Sequence, residues 1–293
     1  MIWGPTLAWY LFLAGLAAGA YATSAIANIK HPQSTKKLQI IGRLIAPIAV
    51  IVGLLLLVVD ARAGFHNPLR FFNLFTNWGS VMTWGTAILT VFTIFAVISA
   101  VIVLAKKTVP KGLDYVGIFL SLCTAVYTGV LIGVVQTYPL WNNAVLPVLF
   151  VVSGFSAGLA ATLLFSEFFA RKETEKLEGF KKYHFTLPIL EILLLAALLY
   201  ITAHRGTNSG DYVSALLSGN LAVAFWVGLI VVGLLLPILL EIIRLIISNN
   251  NQSASASGGV LVMETISSAG TLVGGFLLRY LILMAAVPLV FLN

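Results

Sequence analysis

Long uninterrupted apolar runs fill most of the chain and are separated by short polar stretches. A hydrocarbon core about 30 Å thick needs roughly 20 apolar residues per helix. By that measure the pattern predicts eight spanning helices, at 7–29, 40–60, 80–105, 113–137, 143–169, 185–204, 220–247 and 259–291. The last is long enough to tilt or to end early at Pro288. Spanning β-strands would be short and alternating, whereas these runs are long and uniformly apolar. The expectation is an all-α integral membrane protein, a single transmembrane domain over 1–293, divisible into two four-helix bundles. The first run has no basic segment ahead of it and exceeds a signal-peptide core in length, so it reads as a retained helix.

Composition narrows the class. The 293 residues are 60% hydrophobic and 9% charged, with a mean hydropathy of +1.02, against about 25% charged in an average soluble domain. That excludes a soluble enzyme, a disordered chain and a secreted disulfide scaffold. Cys123 is the one cysteine and lies within an apolar run, so it supports neither an intrachain disulfide nor a metal cluster.

The net charge of +7 changes meaning once it is sorted by loop. Lys30, Lys36, Lys37 and Arg43 follow helix 1; Lys106, Lys107 and Lys111 follow helix 3. Arg171, Lys172, Lys176, Lys181 and Lys182 follow helix 5, and Arg244 closes helix 7. The opposite side holds Arg62, Arg70 and Arg205, with Arg279 inside helix 8. Basic residues concentrate in cytoplasmic loops, so both termini are expected on the outer, periplasmic side of a prokaryotic inner membrane. The charge is a topology signal and not a nucleic-acid footprint.

The outer segment 61–79 is aromatic and lightly charged. Composition supports either an interfacial aromatic belt or a docking surface for a partner, with Arg70, Phe71, Phe72 and Trp78 as docking candidates. The inner segment 249–258 is small and polar and reads as a flexible linker. Glycines recur at four-residue spacing (Gly15 and Gly19, Gly129 and Gly133, Gly154 and Gly158, Gly270 and Gly274), as tight helix packing in lipid requires.

Candidate chemistry rests on the polar groups inside the spans. A membrane b-type haem usually needs two histidines facing each other in the bilayer. His31, His66, His184 and His204 all fall in loops or at span ends, so a haem-free protein is expected. Polar residues at membrane depth are expensive and are functional candidates by default. An outer set comprises Tyr10, Asp60, Tyr127, Gln136 and Arg279, beside Ser80, Trp84 and Trp141. An inner set comprises Glu167, Glu191, Glu241 and Glu264, with Arg43 and Arg244. The inner acids, with Arg279, read either as a proton path or as structural charges that snorkel or pair. Glu241 and Arg244 are three apart on one helix face, which suffices for a local ion pair.

Several stretches resemble one known family. Tyr10-Leu-Phe-Leu-Ala-Gly15 through Gly19 is similar to its opening helix. Asp60, then Pro68-Leu-Arg70-Phe71, then Ser80-Val-Met82-Thr-Trp84-Gly85 is the most specific match. Tyr127-Thr-Gly129, Tyr138-Pro139-Leu-Trp141, Pro147, Phe150, Ser153 through Gly158, Phe225-Trp226 with Gly228, and Gly274-Gly275 with Arg279 continue it in order. The sequence thus resembles the NrfD/PsrC family, the integral membrane subunits of polysulfide-reductase-type respiratory complexes.

The resemblance implies a haem-free anchor that exchanges electrons between membrane quinone or quinol, with menaquinone expected, and an external iron–sulfur subunit. It implies partners on the outer face: a four-cluster iron–sulfur subunit and a molybdopterin catalytic subunit, which carry the clusters and the molybdopterin. Substrate catalysis would belong to that partner, and such a complex can dimerise. Tyr127 is the implied pocket residue, and Tyr10 stands where some members carry a histidine. Asp60, Gln136 and Trp141 complete the candidate quinone site. Tyrosine hydroxyls donate hydrogen bonds to carbonyl oxygens without burying a charge. Asp60 could pair with an arginine such as Arg279 or exchange a quinol proton, and Arg70 could bind the partner or hold the loop. Two rival readings are a secondary transporter or ion channel coupled through the inner acids, and a structural anchor that binds no quinone.

Overall fold

The computed structural model describes residues 4–60, 77–174, 178–204, 209–250 and 258–285. These are helical, with no strand among them, and eight helices are long and apolar enough to cross a membrane. They are α1 (Pro5–Lys30), α2 (Lys36–Asp60), α3 (Val81–Leu104), α4 (Lys111–Gly133), α5 (Val145–Thr174), α6 (Glu178–Ala203), a composite seventh span, and α9 (Gly258–Ala285). A short helix, α7 (Ser209–Leu217), precedes the seventh span, which is a π-helix over Ala224–Leu235 running into α8 (Leu236–Asn250).

α1 is the central element and is almost wholly buried. It packs against α2, α4, α5 and α9. Its sequence explains this position, because alanines and glycines lie on every face. Ala14, Gly15, Ala17, Ala18, Gly19, Ala20, Ala22 and Ala25 are all buried. A Cβ on Gly15 would lie 3.3 Å from Gly154 Cα, and one on Gly19 would lie 3.0 Å from Gly158 Cα. The two glycine pairs therefore face each other across the α1–α5 crossing and let the backbones touch. The Gly270–Gly274 pair serves α9 in the same way, with Gly274 against Gly233 of the π-helix, and Gly129 of α4 lies on Pro147 of α5.

The peripheral spans are α3, α6 and the π-helix–α8 unit, each buried over less than a third of its apolar window. Their outward side chains are large and apolar, for example Ile94, Val101, Leu193, Val231 and Ile246. That is the surface a lipid solvent demands.

Three local features depart from the pattern-based spans. α4 ends at Gly133 and gives way to turns through Trp141, so the expected extension to 137 is not helical. α6 begins at Glu178, ahead of the expected 185. The seventh span is wound as a π-helix through Leu235, with Leu236 N donating to Val231 O. Pro237 follows, and it has no N–H to continue that pattern to Val232 O. This carbonyl faces Gly270 of α9, where a Cβ would lie only 2.7 Å away. A glycine at 270 thus lets α9 cover the irregular backbone.

Candidate functional site

Four clusters of polar side chains occupy the described bundle. The first lies where the start of α1, the end of α2, the start of α3 and the end of α4 converge. Tyr10, in the second turn of α1, is 1% exposed, with its ring beside Gly53 of α2. Tyr127 of α4 is buried and rests on Gly85 of α3. The two phenol groups interact, yet the Tyr10 hydroxyl has no well-formed hydrogen bond to any described residue. A buried hydroxyl without a partner costs about 1–3 kcal/mol. The cluster therefore presents two convergent donors, one of them unsatisfied, in otherwise apolar surroundings.

The other residues expected at this site fall around it. Trp141 is buried, and its Nε1 donates to Ile282 O at 2.8 Å, so its polar edge holds α9. Its ring packs on Tyr138, 4.6 Å between centroids. Gln136 is exposed in the turn after α4. Asp60 ends α2, and its side chain lies outside the described residues. Arg70, Phe71 and Phe72 also lie outside them. Trp78 is exposed at the approach to α3, packed edge-to-face on the exposed Trp84 at 5.5 Å, whose Nε1 donates to Trp78 O at 3.0 Å. Ser80 caps α3, its hydroxyl accepting from Met82 N.

The second cluster joins residues that linear counting placed in different layers. Arg279 of α9 has no exposed surface. It donates to Ser153 Oγ at 3.0 Å, to Gly275 O at 2.6 Å and to Phe150 O at 3.3 Å, and its guanidinium lies over the Phe150 ring. Glu191 of α6, also buried, is beside Ser153 and Ser156 and within electrostatic range of Arg279. Ser156 Oγ and Arg279 Nε have no well-formed hydrogen bond among the described residues. Gly15 makes room for the guanidinium, since a Cβ there would sit 2.7 Å from Nη2.

The third cluster lies near the end of α5 and the starts of α6 and α9, beside α8. Arg244 is bonded to Glu241 by two nitrogens, with Nε at 3.0 Å, and its Nε lies 3.7 Å from Glu264 Oε1. Thr265 Oγ1 donates to Glu167 Oε2 at 3.4 Å. Glu167, Glu241, Glu264 and the buried His184 line one small cavity with Leu163 and Ser268. The local Glu241–Arg244 pair read from spacing is present.

One buried ion pair went unread. Arg43 Nη2 lies 2.6 Å from Asp114 Oδ1, and Asn28 Nδ2 donates to Asp114 Oδ2 at 2.6 Å, all three groups being buried. Asp114 stands one residue inside the expected fourth span, next to a lysine-rich loop. The available signal was the company it keeps: Asn28 and Arg43 are polar residues at the same level of neighbouring spans.

Sequence comparison with known proteins identifies the family. Residues 1–290 match the family model described as Polysulphide reductase, NrfD. The protein is 32% identical over 308 residues to the C subunit of polysulfide reductase from Wolinella succinogenes, covering 96% of this sequence and 94% of that one. It is 28% identical over 323 residues to protein NrfD of Escherichia coli, covering 97% and 95%. It is 24% identical over 256 residues to the Hdr-like menaquinol oxidoreductase integral membrane subunit of Archaeoglobus fulgidus, covering 81% and 62%.

Proposed function

Since the chain belongs to the NrfD polysulphide reductase family, we propose that this multi-pass membrane protein is the quinone-reactive subunit of a respiratory oxidoreductase complex. The observation that carries the reading is the buried Tyr10 hydroxyl, unsatisfied and turned toward Tyr127. A quinone has two carbonyl oxygens that accept hydrogen bonds and a tail that needs an apolar path. Two convergent phenols at one end of the bundle match the first need, and the apolar bundle matches the second.

In this reading, menaquinol docks against Tyr10 and Tyr127 near the outer face. Its oxidation releases two electrons to an external iron–sulfur partner and two protons. Tyr10 and Tyr127 orient the headgroup and donate to one of its oxygens. Trp78 and Trp84 belong to the rim that meets the partner, Arg70, Phe71 and Phe72 are further docking candidates, and the clusters and molybdopterin reside in partner subunits. The membrane is a prokaryotic inner membrane, with the partners outside. Glu191, within electrostatic range of Arg279, together with Glu167, Glu241 and Glu264 toward the inner end, would carry protons if they are drawn from the cytoplasm. The names of the relatives support the reading: one is a subunit of polysulfide reductase and another a menaquinol oxidoreductase subunit.

The test is turnover of a quinol analogue by the purified native complex. Tyr10→Phe and Tyr127→Phe should each lower quinol oxidation by about tenfold or more, while copurifying subunits and iron content stay unchanged. Full turnover in both would leave only the structural-anchor reading. An isolated chain that purifies without iron would favour the transporter.

A further inference from the structure

Gly85 is the fifth residue of α3, just beyond the Ser80 cap. It is buried, although its neighbours Met82 and Trp84 are among the most exposed side chains of the helix. The space that a side chain at 85 would occupy is filled by the end of the Tyr127 ring. A Cβ there would overlap Cε2, Cζ and Oη of Tyr127. The contact is with the hydroxyl end of the ring, the part that reaches Tyr10.

A second tyrosine shows what is particular about this one. Tyr21 of α1 rests on Gly117 of α4 in the same manner, and a Cβ on Gly117 would meet its Cε1, Cζ and Oη. Tyr21 is also tethered by its hydroxyl, which bonds Ser99 Oγ at 2.8 Å, and its ring packs edge-to-face on Phe92. Its position is set by a hydrogen bond as well as by a glycine. At Tyr127 the hydroxyl turns to Tyr10, whose own hydroxyl is unsatisfied, so the glycine surface carries more of the positioning.

We infer that Gly85 is a positioning residue: the bare α3 backbone there holds the Tyr127 hydroxyl opposite that of Tyr10 and so sets the spacing of the two donors that converge on one carbonyl oxygen of a quinone. The inference rests on the quinone reading above. Any side chain at 85 must push the phenol aside or force α3 outward, because a van der Waals overlap of this size has no rotameric escape in a packed wall.

The experiment uses the full chain in nanodiscs and a water-soluble naphthoquinone analogue, with Kd read by fluorescence quenching and stability by thermal melting. Gly85→Ala should weaken binding about tenfold or more, with a melting temperature close to that of the unaltered protein. In a Tyr127→Ala background the ring is gone, so adding Gly85→Ala should change Kd by less than about twofold, the non-additivity expected of residues in contact. Wild-type affinity in Gly85→Ala, or an equal loss in both backgrounds, overturns the inference. If Gly85→Ala fails to accumulate, accumulation of the double variant supports the steric coupling and its failure refutes it. Wild-type affinity in Tyr127→Ala would instead remove the quinone site from this place, and the role of Gly85 with it.

Discussion

A guanidinium without exposed surface among transmembrane helices has to find its solvation inside the protein. Arg279 finds it in a serine hydroxyl, two backbone carbonyls and an aromatic face, with Glu191 within electrostatic range. Removing one member of a buried pair leaves an uncompensated charge, at a cost of about 3–5 kcal/mol, whereas replacing both can be nearly neutral. Arg279→Gln is therefore expected to lower the melting temperature strongly, and Arg279→Met with Glu191→Leu to recover most of the loss. If the pair also serves proton transfer, that double variant will melt normally but lose proton uptake in proteoliposomes, as will Glu191→Gln. Unchanged uptake would leave the pair a structural one. At this scale the sequence was a partial guide. It marked Glu191 and Arg279 as expensive groups, because any charge within an apolar run stands out. It did not pair them, because pairing depends on the relative depth and rotation of α6 and α9, which no single run records. It passed over Asp114, which a helix start at Lys111 places a full turn inside the bundle.

Helices in lipid associate through close packing more than through a hydrophobic drive, and the glycine spacing already stated where this would occur. Gly15 and Gly19 meet Gly154 and Gly158, so two motifs seen separately are the two halves of one contact. Inserting a large side chain into a filled crossing costs about 1–3 kcal/mol, and occasionally more. Gly19→Leu should therefore abolish accumulation of the folded protein, while Leu193→Ala, on the lipid face of α6, should leave it unchanged. Quantitative immunoblotting of membranes would show both. The π-helix was not legible, because its composition is that of any apolar span. Its cause is distributed between Pro237, which interrupts the backbone ladder, and Gly270 on another helix, which accommodates the result.

Over the whole bundle, burial runs against hydropathy. Two of the three most lipid-exposed spans, α3 and the π-helix–α8 unit, are the most hydrophobic, and the central α1 is among the least. Alternating spans put the starts of α1 and α3 and the ends of α2 and α4 on one face, which is where Tyr10, Gly53, Gly85 and Tyr127 meet. The loop charges lead us to propose that this face is the outer one. In a Cys123→Ser background, an impermeant thiol reagent applied from the periplasm should label Asn77→Cys and spare Lys107→Cys, and the reverse pattern would invert the topology. The central place of α1 also bears on how the protein is made. This helix leaves the ribosome before any of the spans that will cover it, carrying Tyr21 and Asn28 with their partners Ser99, Val109 and Asp114 still unsynthesised. Lipid is a poor waiting room for such a segment. The protein should therefore depend on an insertase that shelters α1 until α4 and α5 emerge, and nascent polypeptides stalled before α4 should be the form that quality-control proteases remove.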